Sequence, residues 1–281
     1  MESIAYYNGT IGPLEDMRVP MNDRVCFFGD GVYEAACVVR GHVLKLDAHI
    51  DRLYRSAALI GIVPKMEKAE MKALLLELSG RVQGEVLLLY WQLTRGTGTR
   101  GHAFKNVESG PNLWAFVRPH ALRDPSALHR CITVEDRRYG FCHIKTLNLL
   151  PNVLASQQAE EAGCDEAIFH RGPWVTECAH SNIHILQDGV LKTAPCDERI
   201  LPGITRADIL TVCQKANIPV REETFTVEEM KGADEVFFSS ASAWACRVAE
   251  IDGQPVGLRD EETFSKIRDG IAAAYEKEIE S

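Results

Sequence analysis

Along the chain, runs in which every second position is apolar alternate with stretches of helical period. Residues 4–11, IAYYNGTI, read as two strands closed by an Asn-Gly turn, and residues 31–46, GVYEAACVVRGHVLKL, as two more joined across Arg40 and Gly41. The period then becomes helical. DAHIDRLYRSAALIG places Ile50, Leu53, Ala57 and Leu59 to Ile60 on one face, with Asp47 as N-cap and Gly61 as stop. A second helix is predicted over 67–80, followed by strands over 85–96 and 111–117.

Residues 118–127, RPHALRDPSA, interrupt both periods with two prolines and mixed charges. This sets a small N-terminal domain over 1–117, a linker over 118–127 and a larger domain over 128–281. The larger domain reads as a strand at 131–135, a helix over 152–163 stopped by Gly163, and short strands at 165–170, 174–177, 182–186 and 189–193. A helix over 203–217 opened by Thr205, a strand at 234–240 and a helix from about 260 to 278 complete an α+β chain.

Composition narrows the function. The 281 residues are 46% hydrophobic and 25% charged, as in soluble globular proteins. With 31 Lys and Arg against 40 Asp and Glu, the net charge is −9 and no basic block occurs, which argues against nucleic acid or an anionic membrane as partner. No apolar run reaches the roughly 20 residues that span a bilayer, and no secretion signal opens the chain, so a cytoplasmic location is expected. Nine scattered cysteines without a C-x-x-C pair read as reduced, buried thiols. His180 and His184 in HSNIH lack an acidic third ligand, and no metal is expected.

The chemistry gathers around FCHIKTLNLLPN, which sets Lys145 among apolar neighbours. Such a lysine commonly snorkels to solvent, but a half-buried amine is also a nucleophile for a carbonyl. An aldehyde cofactor bearing a phosphate needs an anion site, a partner for its ring nitrogen and a grip on the substrate carboxylate. LPGITRADIL offers uncapped amides and a hydroxyl at a helix start, Ser239 and Ser240 end a strand in a polar turn, and Arg52 adds a cation. Glu177 ends a strand before a turn of small residues. Arg95, Arg100 and His102 occupy a Gly/Thr loop, and Tyr33 follows FGDG.

Seven motifs, MNDRVCFFGDGVYE, HIDRLYRSA, TRGTGTRGH, HIKTLNLLPNVLA, EAIFHRGPWVTECAHSN, ILPGITRADIL and DEVFFSSAS, occur in an order and spacing that resemble the fold-type-IV pyridoxal-phosphate aminotransferases, most closely those acting on D-amino acids. The resemblance covers essentially the whole chain and implies a small α/β domain followed by a β-rich, barrel-like one that carries the lysine. It implies Lys145 as Schiff-base lysine and proton shuttle, and Glu177 as partner of the pyridine nitrogen. By the same resemblance Arg52, the Ile204 and Thr205 amides, the Thr205 hydroxyl and the turn at Ser240 and Ala241 would hold the phosphate. Tyr33, Arg100 and His102 would grip the carboxylate, the 96–104 loop reaching over from the other subunit of a homodimer. The implied reaction is ping-pong transamination between a D-amino acid, such as D-alanine or D-glutamate, and 2-oxoglutarate or pyruvate. The alternatives are a branched-chain L-amino acid aminotransferase or an aminodeoxychorismate lyase, families that share these cofactor residues, and, outside the enzymes, a catalytically silent cofactor-binding protein. The chain departs from the family where Cys178, Ala179 and His180 replace small hydroxyl residues, where His184 takes an aromatic position, and where Ala241 replaces a threonine.

Overall fold

The computed structural model describes residues 2–280. They form two compact units: one runs up to Ala121 and includes Ile144–Asn148, the other holds Leu122–His143 and the residues from Leu149 on. The sequence order places Lys145 in the later domain, whereas by its contacts it belongs to the earlier unit. The reason is backbone pairing, which hydropathy does not register. Val32 bridges Thr146, the Tyr33 amide donates to the Lys145 carbonyl at 3.0 Å, and the Leu147 amide donates to Gly31 at 3.1 Å.

The first unit contains β1 (Ile4–Tyr7), β2 (Thr10–Gly12), the short helix α1 (Arg24–Phe28), β3 (Gly31–Val39) and β4 (His42–Val43). After these come helices α2 (Leu46–Leu59) and α3 (Lys68–Ser79), then β5 (Val86–Thr94), β6 (Thr97–Gly98), β7 (Val107–Ser109) and β8 (Asn112–Pro119). Among the described residues, a six-stranded antiparallel sheet runs β2-β1-β8-β5-β3-β4. Its core joins Trp91 and Leu89 of the sheet to Ile50 and Leu53 of α2 and Met71 and Leu75 of α3. Each such aliphatic side chain contributes roughly 1.5–3 kcal/mol on burial.

Helix α2 starts earlier than predicted. Its cap is Lys45, at φ 54°, because the chain enters directly from β4; Asp47 sits in the first turn, favoured by the helix dipole, and accepts from Lys72 at 2.9 Å. Ile50, Leu53 and Ala57 face the core as expected, but Leu59 is 54% exposed.

The second unit holds β9 (His129–Glu135), α4 (Leu150–Glu161), β10 (Glu166–Arg171), β11 (Trp174–Cys178), β12 (Asn182–Gln187) and β13 (Val190–Thr193). It continues with α5 (Ile204–Lys215), β14 (Val220–Glu222), α6 (Val227–Gly232), β15 (Glu235–Ser240), β16 (Ala243–Ile251), β17 (Gln254–Pro255) and α7 (Glu261–Ile279). The described sheet runs β11-β10-β9-β16-β15-β12-β13-β14, with β17 on β16. Neighbours β9 and β10, β9 and β16, and β13 and β14 are parallel. Strand β16 escapes the sequence pattern because the apolar positions of AWACRVAEI do not alternate and three of its nine residues are alanines, weak strand formers. Helix α5 is capped by Gly203, so Thr205 is its second residue and not its opening one.

Candidate active site

Lys145 is half-buried. The backbone pairing on β3 and a bond from its amide to Ser56 Oγ at 3.3 Å fix its backbone, and Nζ stands 4.2 Å from the centre of the Tyr33 ring. A cation over a ring face is attracted by the ring quadrupole. Tyr33 in turn stacks on Tyr90 at 5.6 Å. Two residues the sequence nominates for different tasks, Lys145 and Tyr33, therefore touch.

Arg52 is buried and its fork is held by a carboxylate the sequence reading misses. Nε donates to Glu34 Oε1 at 2.6 Å and Nη2 to Oε2 at 2.8 Å, while His49 Nδ1 lies 2.7 Å from Oε2. Burial alone would raise the Glu34 pKa, but the Arg52 charge and fork, with His49, hold it well below the usual carboxylate range. Burial lowers the His49 pKa despite Glu34, and Nδ1 is the ring nitrogen that faces the carboxylate. The available signal was a lone carboxylate inside the apolar run GVYEAACVV.

Of the three basic residues in the Gly/Thr loop, Arg100 and His102 are exposed, and Arg95 is buried. Arg95 donates to Asp30 and to the carbonyls of Ile60 and Gly61 at 2.7–3.1 Å, so it serves the fold.

In the second unit Glu177 is buried among donors. Arg138 Nη1 reaches Oε1 at 2.5 Å; Asn182 Nδ2 and the Leu201 amide each donate to Oε2 at 3.0 Å. Arg138 is shared, since its Nε and Nη2 go to Asp136 at 2.9 and 3.0 Å. Burial raises the Glu177 pKa to about 7 against the pull of Arg138. Arg138, Asp136 and Asn182 are further residues the sequence reading misses. The second nitrogen bond of Asn182, to the Leu201 carbonyl at 3.0 Å, ties Glu177 to the start of α5. There Gly203 is required, because a Cβ would meet Asn182 Oδ1 at 2.0 Å, and no side chain caps the helix.

Thr205 Oγ1 donates to the Ser240 carbonyl at 3.0 Å, which brings the two nominated phosphate segments together. Trp244 Nε1 donates to the Ala241 carbonyl at 3.2 Å, and Tyr275 reaches Thr205 Oγ1 at 3.4 Å. The two unusual histidines part company. His184 is buried, bonds Ser239 Oγ at 2.8 Å and has its pKa lowered to about 3, by burial first and Arg206 second; His180 is exposed and lies 3.2 Å from buried Glu166. Among the described residues no group of three His, Cys, Asp or Glu is placed to hold a metal. Cys26 and Cys196 are exposed, contrary to the expectation of buried thiols.

The model of the class IV amino-transferase family matches residues 31–251. D-alanine aminotransferase of Staphylococcus aureus (strain COL) is 39% identical over 285 residues, covering 100% of this chain and 99% of that protein. The chain is a class IV aminotransferase. A second relative, D-alanine aminotransferase of Listeria monocytogenes serotype 4b (strain F2365), is 41% identical over 246 residues, 86% of this chain and 85% of that one. Among solved structures, a branched-chain amino acid aminotransferase from Escherichia coli matches with TM-score 0.85 at 22% identity, covering 98% of this chain and 95% of that chain. A fold IV transaminase from Curtobacterium pusillum matches with TM-score 0.81 at 22% identity, covering 96% of this chain and 99% of that chain. These two likenesses concern the fold.

The donor set of this aminotransferase fits pyridoxal phosphate. In the second unit the start of α5 at Gly203 carries no side-chain cap and Glu177 is a buried acid whose pKa burial raises to about 7; in the first, Lys145 offers an amine held over the Tyr33 ring.

Proposed function

We propose that the chain transfers amino groups between D-amino acids and 2-oxo acids with pyridoxal phosphate, and that its residues divide the work as follows. The cofactor supplies an aldehyde that bonds amines and, with its ring nitrogen protonated, an electron sink. Lys145 would be the amine that holds the cofactor's aldehyde; once the substrate's amino group displaces it, the freed amine would take the substrate α-proton, and the Tyr33 ring face would stabilise the ammonium so formed. Glu177 keeps a proton at the ring nitrogen. Arg52, held in one orientation by Glu34, binds phosphate together with the Ile204 and Thr205 amides, the Thr205 hydroxyl and the turn at Ser240 and Ala241. In the structure the Thr205 hydroxyl donates to Ser240, so it would have to turn to serve the phosphate. Tyr33, Arg100 and His102 grip the carboxylate, in a homodimer whose 96–104 loops complete each other's sites. A cytoplasmic location agrees with this chemistry, and no described helix is long and apolar enough to cross a membrane.

The observation that carries the reading is the 39% identity to a D-alanine aminotransferase along all of this chain. Initial rates with D-alanine and L-leucine, each with 2-oxoglutarate, test it. D-alanine should be preferred in kcat/KM by at least about a hundredfold, with the parallel double-reciprocal lines of a ping-pong reaction. Preference for L-leucine would overturn it in favour of a branched-chain enzyme.

A further inference from the structure

The motif MNDRVCFFGDGVYE gives the proposed site one residue, Tyr33. The rest of it lies under the loop that bears Arg100 and His102. Asp23, fully buried, caps α1 by accepting from the Val25 amide at 2.9 Å, and its other oxygen accepts from Thr94 Oγ1 at 3.0 Å and Asn112 Nδ2 at 2.8 Å. That pins α1 to the ends of β5 and β8. The backbone of the same segment then grips the loop: the Arg24 amide donates to Gly96 at 2.9 Å, and the Gly98 amide donates to Asn22 at 3.0 Å.

The Arg24 side chain completes the hold. It is 3% exposed, and its three nitrogens have separate duties. Nε donates to Asp30 at 2.8 Å, Nη1 to the Gly101 carbonyl at 2.6 Å and Nη2 to the His102 carbonyl at 3.1 Å. Asp30 also accepts from Arg95, so one carboxylate orients both buried arginines. On the other side of the fork, Phe28 lies 4.9 Å from the Arg24 guanidinium. Its ring is 5.2 Å from the His102 ring and 5.5 Å from the Arg100 guanidinium.

From this geometry we infer that Arg24 is a positioning residue for substrate specificity: by holding the Gly101 and His102 carbonyls it sets where Arg100 and His102 meet a substrate carboxylate. The inference rests on the proposed role of those two residues. A planar fork of charge-assisted bonds fixes both peptide groups at once, which the single ammonium of a lysine cannot do. Displacing a binding group by about 1 Å is costly, on the order of a hundredfold at worst.

The test is steady-state kinetics of the holoenzyme with D-alanine for Arg24→Lys, Phe28→Leu and Arg100→Ala, alongside melting curves. Arg24→Lys should raise KM about tenfold or more with kcat within about threefold and an unchanged melting temperature. Phe28→Leu should raise KM by a smaller factor, and Arg100→Ala by at least as much as Arg24→Lys. If Arg100→Ala raises KM while Arg24→Lys does not, the positioning role is wrong and the carboxylate grip stands. If Arg100→Ala leaves KM unchanged, the grip itself is wrong and the inference falls with it. A fall in kcat together with a lowered melting temperature in Arg24→Lys would make the residue structural only and overturn the inference.

Discussion

Glu34 in the first unit and Glu177 in the second are both buried carboxylates facing an arginine, yet their pKa values move in opposite directions. The difference lies in who owns the arginine. Arg52 turns two nitrogens toward Glu34, and His49 adds a third donor, so the charged form is compensated. Arg138 gives Glu177 one nitrogen and spends two on Asp136, whose own charge pushes the Glu177 pKa up. A buried carboxylate with a private partner is a fixed anion that can orient a phosphate-binding arginine. One with a shared partner can still gain or lose a proton near neutral pH, which is what the role proposed for Glu177 calls for.

Removing the charges separately should break the symmetry. In Glu34→Gln the Arg52 cation loses its carboxylate, and breaking a buried pair in this way costs about 3 kcal/mol or more. Urea unfolding of cofactor-free protein at pH 7 measures this loss, and a change below about 1 kcal/mol would show that Glu34 does not neutralise Arg52.

Glu177→Gln should do the reverse in a defined pH window. The folded pKa of Glu177, about 7, is above its unfolded value of 4.5. The protonated carboxyl therefore contributes stability that is fully present below pH 4.5 and is lost as the pH rises through 7. Across that window the cofactor-free variant should gain on the wild type by about 3 kcal/mol, at roughly 1.4 kcal/mol per pKa unit. A difference that stays flat with pH would contradict the raised pKa. Lowering of the Glu34 pKa has the opposite sign: its stabilisation is present above the unfolded pKa of 4.5 and is lost as the pH falls below it.

A finer probe hands Arg138 entirely to Glu177. In an Asp136→Asn background the pH-dependent gain from Glu177→Gln should level off below pH 7 and be smaller by about 1 kcal/mol. An unchanged curve would mean that the sharing of Arg138 does not set the Glu177 pKa.

How much of this was legible differs between fold and site. Turn dipeptides such as Asn8-Gly9 and Asp188-Gly189 announce hairpins because their backbone must enter positive φ, and both do. The positions of Lys145, Tyr33, Arg52 and Glu177 on or beside regular elements were also readable from local motifs. What holds each of them in place was not. Arg138 lies 39 residues from Glu177, and Arg24 lies 77 from Gly101, so no local pattern couples them. The Lys145 segment pairs with β3 through backbone groups, which every residue possesses, and hydropathy is silent about that choice. Arg95 and Arg100 look alike in TRGTGTRGH, and it is Asp30 with the Ile60 and Gly61 carbonyls, distant in sequence, that make one structural, while the other stays exposed.

The most direct test of the account is release of pyruvate from D-alanine, with 2-oxoglutarate as acceptor, by Lys145→Ala compared with the wild type under saturating pyridoxal phosphate. The account predicts that the variant, folded by its melting curve, loses turnover by about 10⁴-fold or more, since the amine that moves the α-proton is gone. Transamination within about tenfold of the wild type would contradict the role given to Lys145 and the mechanism built on it.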